Sequence, residues 1–211
     1  ISAYAIGAII GAPLLTLLGA SMTRRKLLLV TLMLVIMGNL ATVFSTGFNE
    51  LFVARLLSGI PHGTYFGVAG FVVASAVPLQ ERARAISRFM LGVTLSIVVG
   101  TPLATFIGQL FGWYWAFVQV CLLAFITLVM IVYLLPVNPH EKRSAPRTEL
   151  NAMVNIQVWL TLGIAAIGFA GMFCIYSYLA PALVNITHLT PHGIPLMLVL
   201  FGVGTVIGNV I

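Results

Sequence analysis

Aspartate does not occur in this chain. Four glutamates and ten lysines or arginines leave 7% of its 211 residues charged, where soluble domains average about 25%. A chain that is 61% hydrophobic with a mean hydropathy of +1.13 has too few polar groups to cover a water-facing surface. A soluble globular fold is therefore excluded and an integral membrane protein is predicted. Cysteine is equally scarce. Cys121 and Cys174 both fall inside apolar runs, which argues against a disulfide framework or a metal site and predicts two small buried thiols. There is no phosphate-binding loop, no paired carboxylate and no nucleophile beside a base, so an ATP-driven pump or a hydrolase has nothing to work with here. No cofactor and no metal are expected, and the chain is not read as an enzyme.

What is present is long hydrophobic sequence. Seven apolar runs lie at about 1–18, 27–46, 51–77, 89–110, 113–135, 156–183 and 194–211. Runs of about 20 residues suit helices, whereas barrel strands are about 10 and alternate. Lipid offers backbone groups no hydrogen bonds, so an all-α fold of seven transmembrane helices is predicted. The sequence starts and stops inside hydrophobic runs, which is expected of a piece of a longer protein.

The net charge of +6 is explained by orientation rather than by nucleic acid. Nine of the ten basic residues occupy alternate joints: Arg24, Arg25 and Lys26; Arg82, Arg84 and Arg88; Lys142, Arg143 and Arg147. The positive-inside pattern makes the loops 19–26, 78–88 and 136–155 cytoplasmic. The segment 136–155 has several prolines, mixed charge and no apolar period, and reads as a linker. It divides the chain into 1–135 and 156–211. Tyr4, Gly7 and Gly11 in the first run also resemble Phe201, Gly204 and Gly208 in the last, with Ile10 and Ile207 in register. Two parallel halves of about 200 residues would explain this, although small-xxx-small spacing also recurs wherever membrane helices pack.

The tenth basic residue, Arg55, lies inside the run 51–77 with Ser58, Gly59, Pro61, His62 and Gly63. A charged side chain inside a span costs about 2.5 to 3.5 kcal/mol on insertion scales, so it usually faces a protein interior or a wet cavity. Arg55 either binds an anion or tunes a nearby carboxylate, or else bonds to backbone carbonyls at a kink. His62 lies two turns away. It either relays protons or makes a helix-to-helix hydrogen bond. Tyr65 follows it.

Four stretches carry a resemblance to the major facilitator superfamily, and within it to the bacterial drug and sugar efflux branch of the arabinose-efflux-permease type. The first is the basic loop Gly19 to Lys26, where the family normally has an aspartate that Ser21 or a neighbour replaces. The second is Arg55, Gly59 and Gly63, similar to the family's Arg-x-x-x-Gly-x-x-x-Gly. The third is Gly92, Gly100, Pro102 and Gly108, similar to the glycine- and proline-containing exporter motif. The fourth is Gly112, Trp113, Trp115 and Phe117, with Tyr114 where the family has arginine. The resemblance covers all 211 residues as helices two to eight of twelve, with two six-helix bundles around the linker.

The resemblance implies a monomeric inner-membrane transporter exporting a small sugar, drug or metabolite in exchange for protons. It implies that Arg24, Arg25 and Lys26 latch the cytoplasmic side, unless they only set topology. It makes Gly92, Gly100, Pro102 and Gly108 a packing or hinge region. It places the seventh helix of the whole protein at the cavity, where Phe173 and Tyr176 would meet substrate unless they are core packing. An acidic partner for Arg55 is expected in the family's first helix. Alternatives are a facilitator or uptake transporter without proton coupling, and a non-transporting receptor or scaffold on the same fold.

Overall fold

In a computed structural model the described residues are 2–136, 154–187, 190 and 193–210, with only the backbone of Asn209 and Val210. The linker 136–155, including Glu141 to Glu149, lies outside them except at its ends. Every described element is a helix. They are α1 (Ser2–Gly19), α2 (Arg24–Val43), α3 (Phe48–Ser75), a 3-10 turn (Leu79–Glu81), α4 (Arg82–Leu95), a π segment (Ser96–Gly100), α5 (Thr101–Phe111), α6 (Tyr114–Leu134), α7 (Ile156–Asn185) and α8 (Ile194–Val210). Leu79–Phe111 forms one continuous span, so six helices are long and apolar enough to cross a bilayer. α8, at 17 residues, sits at the lower end of the spanning range of about 17–25.

The helix boundaries follow local chemistry. Thr23 caps α2 by accepting from the Lys26 amide at 3.4 Å. Glu50 reaches back to the Thr46 amide at 2.8 Å and its hydroxyl at 3.0 Å, placing a carboxylate at the start of α3 where orphan N–H groups gather. The joint 78–88 is not an open loop. It is a 3-10 turn followed by the first turns of α4, because alanine and arginine are strong helix formers and long cationic side chains can reach the interface from a helix. Gly112 has φ +105, a left-handed conformation that lets the chain turn from α5 into α6. This gives the Gly112–Trp113 pair its structural reason.

Two compact units can be described separately. Of the described residues, the first holds 2–91 and 107–136, the second 92–106, 154–187, 190 and 193–210. In the first, α1 and α3 run parallel, and α2 runs antiparallel to α3 and α6. The fully buried side chains are small: Thr31, Thr42, Pro61 and Ser58. Large apolar side chains such as Ile9, Met37 and Leu122 point outward. Lipid tails are as apolar as leucine, so close packing of small residues, rather than burial of large ones, brings membrane helices together. The buried hydroxyls are satisfied locally, Thr31 to the Leu27 and Leu28 carbonyls and Thr42 to the Gly38 carbonyl. Cys121 is buried, with its Sγ 3.7 Å from the Ile36 carbonyl. Cys174 is exposed, correcting the expectation of two buried thiols. It stands on α7, none of whose residues is buried.

In the second unit, α8 crosses the π segment. A side chain at Gly202 would meet the Cα of Val98 at 2.7 Å. The π segment has a direct cause. Pro102 lacks the amide that would continue the α ladder, and the Thr101 amide bonds to the Ser96 carbonyl, five residues back.

Candidate functional site

The site in the first unit is built by a glycine crossing. A Cβ at Gly7 would collide with the Leu56 carbonyl, one at Gly11 with the Ile60 carbonyl, and one at Gly59 with the Tyr4 carbonyl. At Gly63 it would meet the Ala12 Cβ at 2.7 Å. The two backbones therefore touch, and the Thr64 hydroxyl donates across the seam to the Ala12 carbonyl at 3.1 Å. This crossing lays Tyr4 over Gly59, with Arg55 one turn before that glycine and His62 one turn after.

Three contacts result. The Arg55 guanidinium carbon is 4.7 Å from the centre of the Tyr4 ring and 5.0 Å from that of Phe117. The Tyr4 hydroxyl is 2.8 Å from Nδ1 of His62, and the two rings meet edge-on with centroids 5.5 Å apart. α1, α3 and α6 each supply a residue. Arg55 is half-buried. Among the described residues it forms no ion pair and donates no hydrogen bond. Glu50, on the same helix, is engaged by Thr46. The arrangement presents one permanent positive charge, two aromatic faces and an imidazole bonded to a phenol. It has the parts to hold an anion, and the Tyr4–His62 bond is a path along which a proton can shift.

Sequence reasoning proposed Arg55 and His62, and the structure joins them through Tyr4. Tyr4 had figured only in the internal repeat and Phe117 only in an interfacial aromatic signature. Tyr4 was recoverable in principle: pairing Gly7 and Gly11 with Gly59 and Gly63 in parallel puts it opposite Arg55 and His62. Nothing in the sequence placed Phe117 at Arg55, an approach that depends on the rotation of α6. Tyr65 is half-buried one turn further along α3, outside these contacts.

The basic loop is attached to two other helices among the described residues. The Arg25 Nη2 donates to the Val132 carbonyl at 2.6 Å, an acceptor left open at the end of α6. The Arg24 guanidinium carbon lies 3.4 Å from the centre of the Phe71 ring, near the end of α3. Joint 19–26 and the ends of α3 and α6 thus share one end of the unit. Lys26 is exposed.

On the long fourth span, a Cβ at Gly92 would meet nothing within 4 Å, one at Gly100 only Ser96 of its own helix, and one at Gly108 only the Trp113 Cα at 4.0 Å. Pro102 is buried. Close helix approach in this part falls at Gly202 instead. In the second unit Phe173 stacks with Phe169 at 6.2 Å, and Tyr176 with Phe201 at 5.5 Å. The Tyr176 hydroxyl is buried and lacks a hydrogen-bond partner among the described residues. At Gly204 and Gly208, which match Gly7 and Gly11 in sequence, a Cβ would meet nothing within 4 Å among the described residues. Among the described residues no group of three His, Cys, Asp or Glu gathers to hold a metal.

Comparison with known proteins agrees with this architecture. The model of the Major Facilitator Superfamily matches residues 1–211. The chain is 36% identical over 209 residues to the inner membrane transport protein YdhP of Escherichia coli, covering 99% of this chain and 54% of the relative. It is 27% identical over 211 residues to the putative transporter AraJ of the same organism, covering 100% and 54%. It is 28% identical over 196 residues to a probable sugar efflux transporter of Mannheimia succiniciproducens, covering 92% and 49%. The chain spans about half the length of these curated relatives. The relatives are named as transporters, the described spans are those of a multi-pass membrane protein, and the match over the whole chain assigns the family: this is a multi-pass membrane protein of the Major Facilitator Superfamily.

Proposed function

We propose that the full-length protein is an inner-membrane secondary transporter that exports a small sugar, drug or metabolite in exchange for protons by alternating access. The observation that carries this reading is Arg55, a charged side chain kept inside a span, flanked by Tyr4 and Phe117 and linked through Tyr4 to the titratable His62. Such intramembrane charge is costly and marks solute or ion pathways. The names of the relatives support export and an inner-membrane address. In this reading residues 1–135 belong to one bundle, 136–155 form a cytoplasmic linker and 156–211 open a second bundle. The protein works as a monomer, the loops 19–26 and 78–88 are cytoplasmic, and Arg24, Arg25 and Lys26 help hold the cytoplasmic side. Gly92, Gly100, Pro102 and Gly108 form the flexible part of the long span, and Tyr65, Phe173 and Tyr176 line the solute path.

The alternative is a facilitator or uptake transporter without proton coupling, which predicts no acidic residue in the family's first helix to pair with Arg55. The test is reconstitution of the full-length protein in liposomes loaded with a pH-sensitive dye, with a panel of sugars and drugs added to wild type and Arg55→Ala. Antiport predicts solute-dependent proton movement that disappears in the variant. Solute crossing without proton movement would overturn the coupling and leave the facilitator.

A further inference from the structure

The aromatic signature at the start of α6 reaches further into the span than interfacial anchoring requires. Gly112, at φ +105, turns the chain into α6 just ahead of Trp113. Trp113 stands one helical turn before Phe117, and the two rings meet edge-on with centroids 5.9 Å apart and planes at 80°. The Phe117 ring centre is 5.0 Å from the Arg55 guanidinium carbon, and the Tyr4 ring centre is 4.7 Å from the same carbon. Both lie within the distance of about 6 Å at which a ring face attracts a cation. The two rings are held differently. Tyr4 is fixed by its hydrogen bond to His62 and by the glycine crossing on which its backbone sits. Phe117 has no polar group, so packing sets its place. Cys121, one turn further along α6, sits against α2 with its Sγ 3.7 Å from the Ile36 carbonyl, which fixes the rotation of α6. Trp113 lies against the ring itself.

We propose that Phe117 is a positioning residue: with Trp113 against it, its ring holds the Arg55 guanidinium in the orientation used for transport. The proposal rests on the reading of Arg55 as part of a transporter's solute site. An arginine side chain has many rotamers to lose when it is ordered, and ring contacts restrict the guanidinium without using any of its five N–H donors. Those donors stay available for a hydrogen-bonding partner, whether a solute or a carboxylate on another helix of the full-length protein. The ring faces also offset part of the cost of keeping the charge inside a span. The attraction is to the negative face of the ring, so it follows the ring's electron density rather than its size. A phenylalanine that only filled space would be replaceable by any apolar side chain of similar volume. The signature from Gly112 to Phe117 thus has a task beyond marking the membrane interface: it carries a ring from α6 to the charge on α3.

The test uses full-length protein in lipid nanodiscs with isotope-labelled arginine, read by magnetic resonance. The guanidinium signal of Arg55 is identified by its loss in Arg55→Lys. Phe117 is replaced by leucine, by tryptophan and by a series of phenylalanine analogues with increasing ring fluorination, which drain the ring face of electron density at nearly constant size. The Arg55 signal should move in Phe117→Leu, move stepwise in the same direction along the fluorine series, and stay near its wild-type position in Phe117→Trp. Trp113→Leu should shift it the same way by less. Transport of the sugar and drug panel is measured on the same proteins in liposomes. Phe117→Leu and the most fluorinated analogue should raise the half-saturating concentration of a carried solute about threefold or more, the size expected of a cation–π contact. The fluorinated proteins decide the matter if Phe117→Leu does not purify as a folded monodisperse protein. An Arg55 signal that stays in place along the series would overturn the proposal, and so would a shifted signal with unchanged transport. Wild-type protein that carries none of the panel would contradict the transporter reading, and the arginine signal would then decide whether Phe117 holds Arg55. Transport with a half-saturating concentration unchanged along the series would leave the transporter standing and sink the positioning role.

Discussion

Tyr4 has two separable roles: its ring faces the Arg55 guanidinium and its hydroxyl bonds to His62. Tyr4→Phe keeps the first and removes the second, whereas Tyr4→Leu removes both. One lost hydrogen bond in a membrane interior costs about 0.6 kcal/mol on average, so Tyr4→Phe should melt within a few degrees of wild type. If the ring contact positions Arg55, Tyr4→Phe retains most solute transport and Tyr4→Leu loses most of it. Equal transport by the two variants would show that the ring contact is idle. Arg55 and His62 were legible in the sequence because a charge and an imidazole in an apolar run stand out against their neighbours. Phe117 was legible only within the aromatic signature that starts at Gly112, because its approach to Arg55 depends on how α6 is rotated against α3.

Among the helices, the α1–α3 crossing holds the site together. Its glycines are not interchangeable with others in the same helices. At Gly59 a methyl group would strike the Tyr4 carbonyl, a backbone atom with no freedom to step aside, while at Gly67 it would meet nothing within 4 Å among the described residues. Gly59→Ala should therefore destabilise the full-length protein by about 1–3 kcal/mol through overpacking. Gly67→Ala should be neutral or stabilising by up to about 1 kcal/mol, since alanine is the better helix former. Thermal unfolding of the two variants in detergent gives the comparison. Equal melting temperatures would mean that the crossing is not tight.

The spans and the order of their joints were legible from hydropathy and from the Lys and Arg positions, because those signals act over whole helices. The π segment was not, because Pro102 announces a bend without saying how the ladder re-forms. Here the Thr101 amide takes the Ser96 carbonyl. Among the described residues the glycines at 92, 100 and 108 have no neighbouring helix in close contact, while Gly202 does. Spacing alone does not tell which face of a helix meets a partner.

For the molecule as a whole, composition, charge distribution and the superfamily match over 1–211 agree on a multi-pass membrane protein. Each unit is organised in the manner of membrane proteins, with small residues at the seams and large apolar residues outward. The joint 19–26 is tied to the ends of α3 and α6 through Phe71 and the Val132 carbonyl. These two attachments run from Arg24 to a ring and from Arg25 to a backbone carbonyl, so a chain without aspartate still has a means of joining three helices at one end. The central claim is that the full-length protein carries solute through a site at Arg55. Counterflow in reconstituted vesicles tests it most directly, because exchange of labelled for unlabelled solute requires the site and alternating access but no ion gradient. Wild-type protein is predicted to exchange a solute from the panel of sugars and drugs, and Arg55→Ala, shown to be folded and inserted, is predicted to lose that exchange. Undiminished exchange by the folded variant would contradict the account.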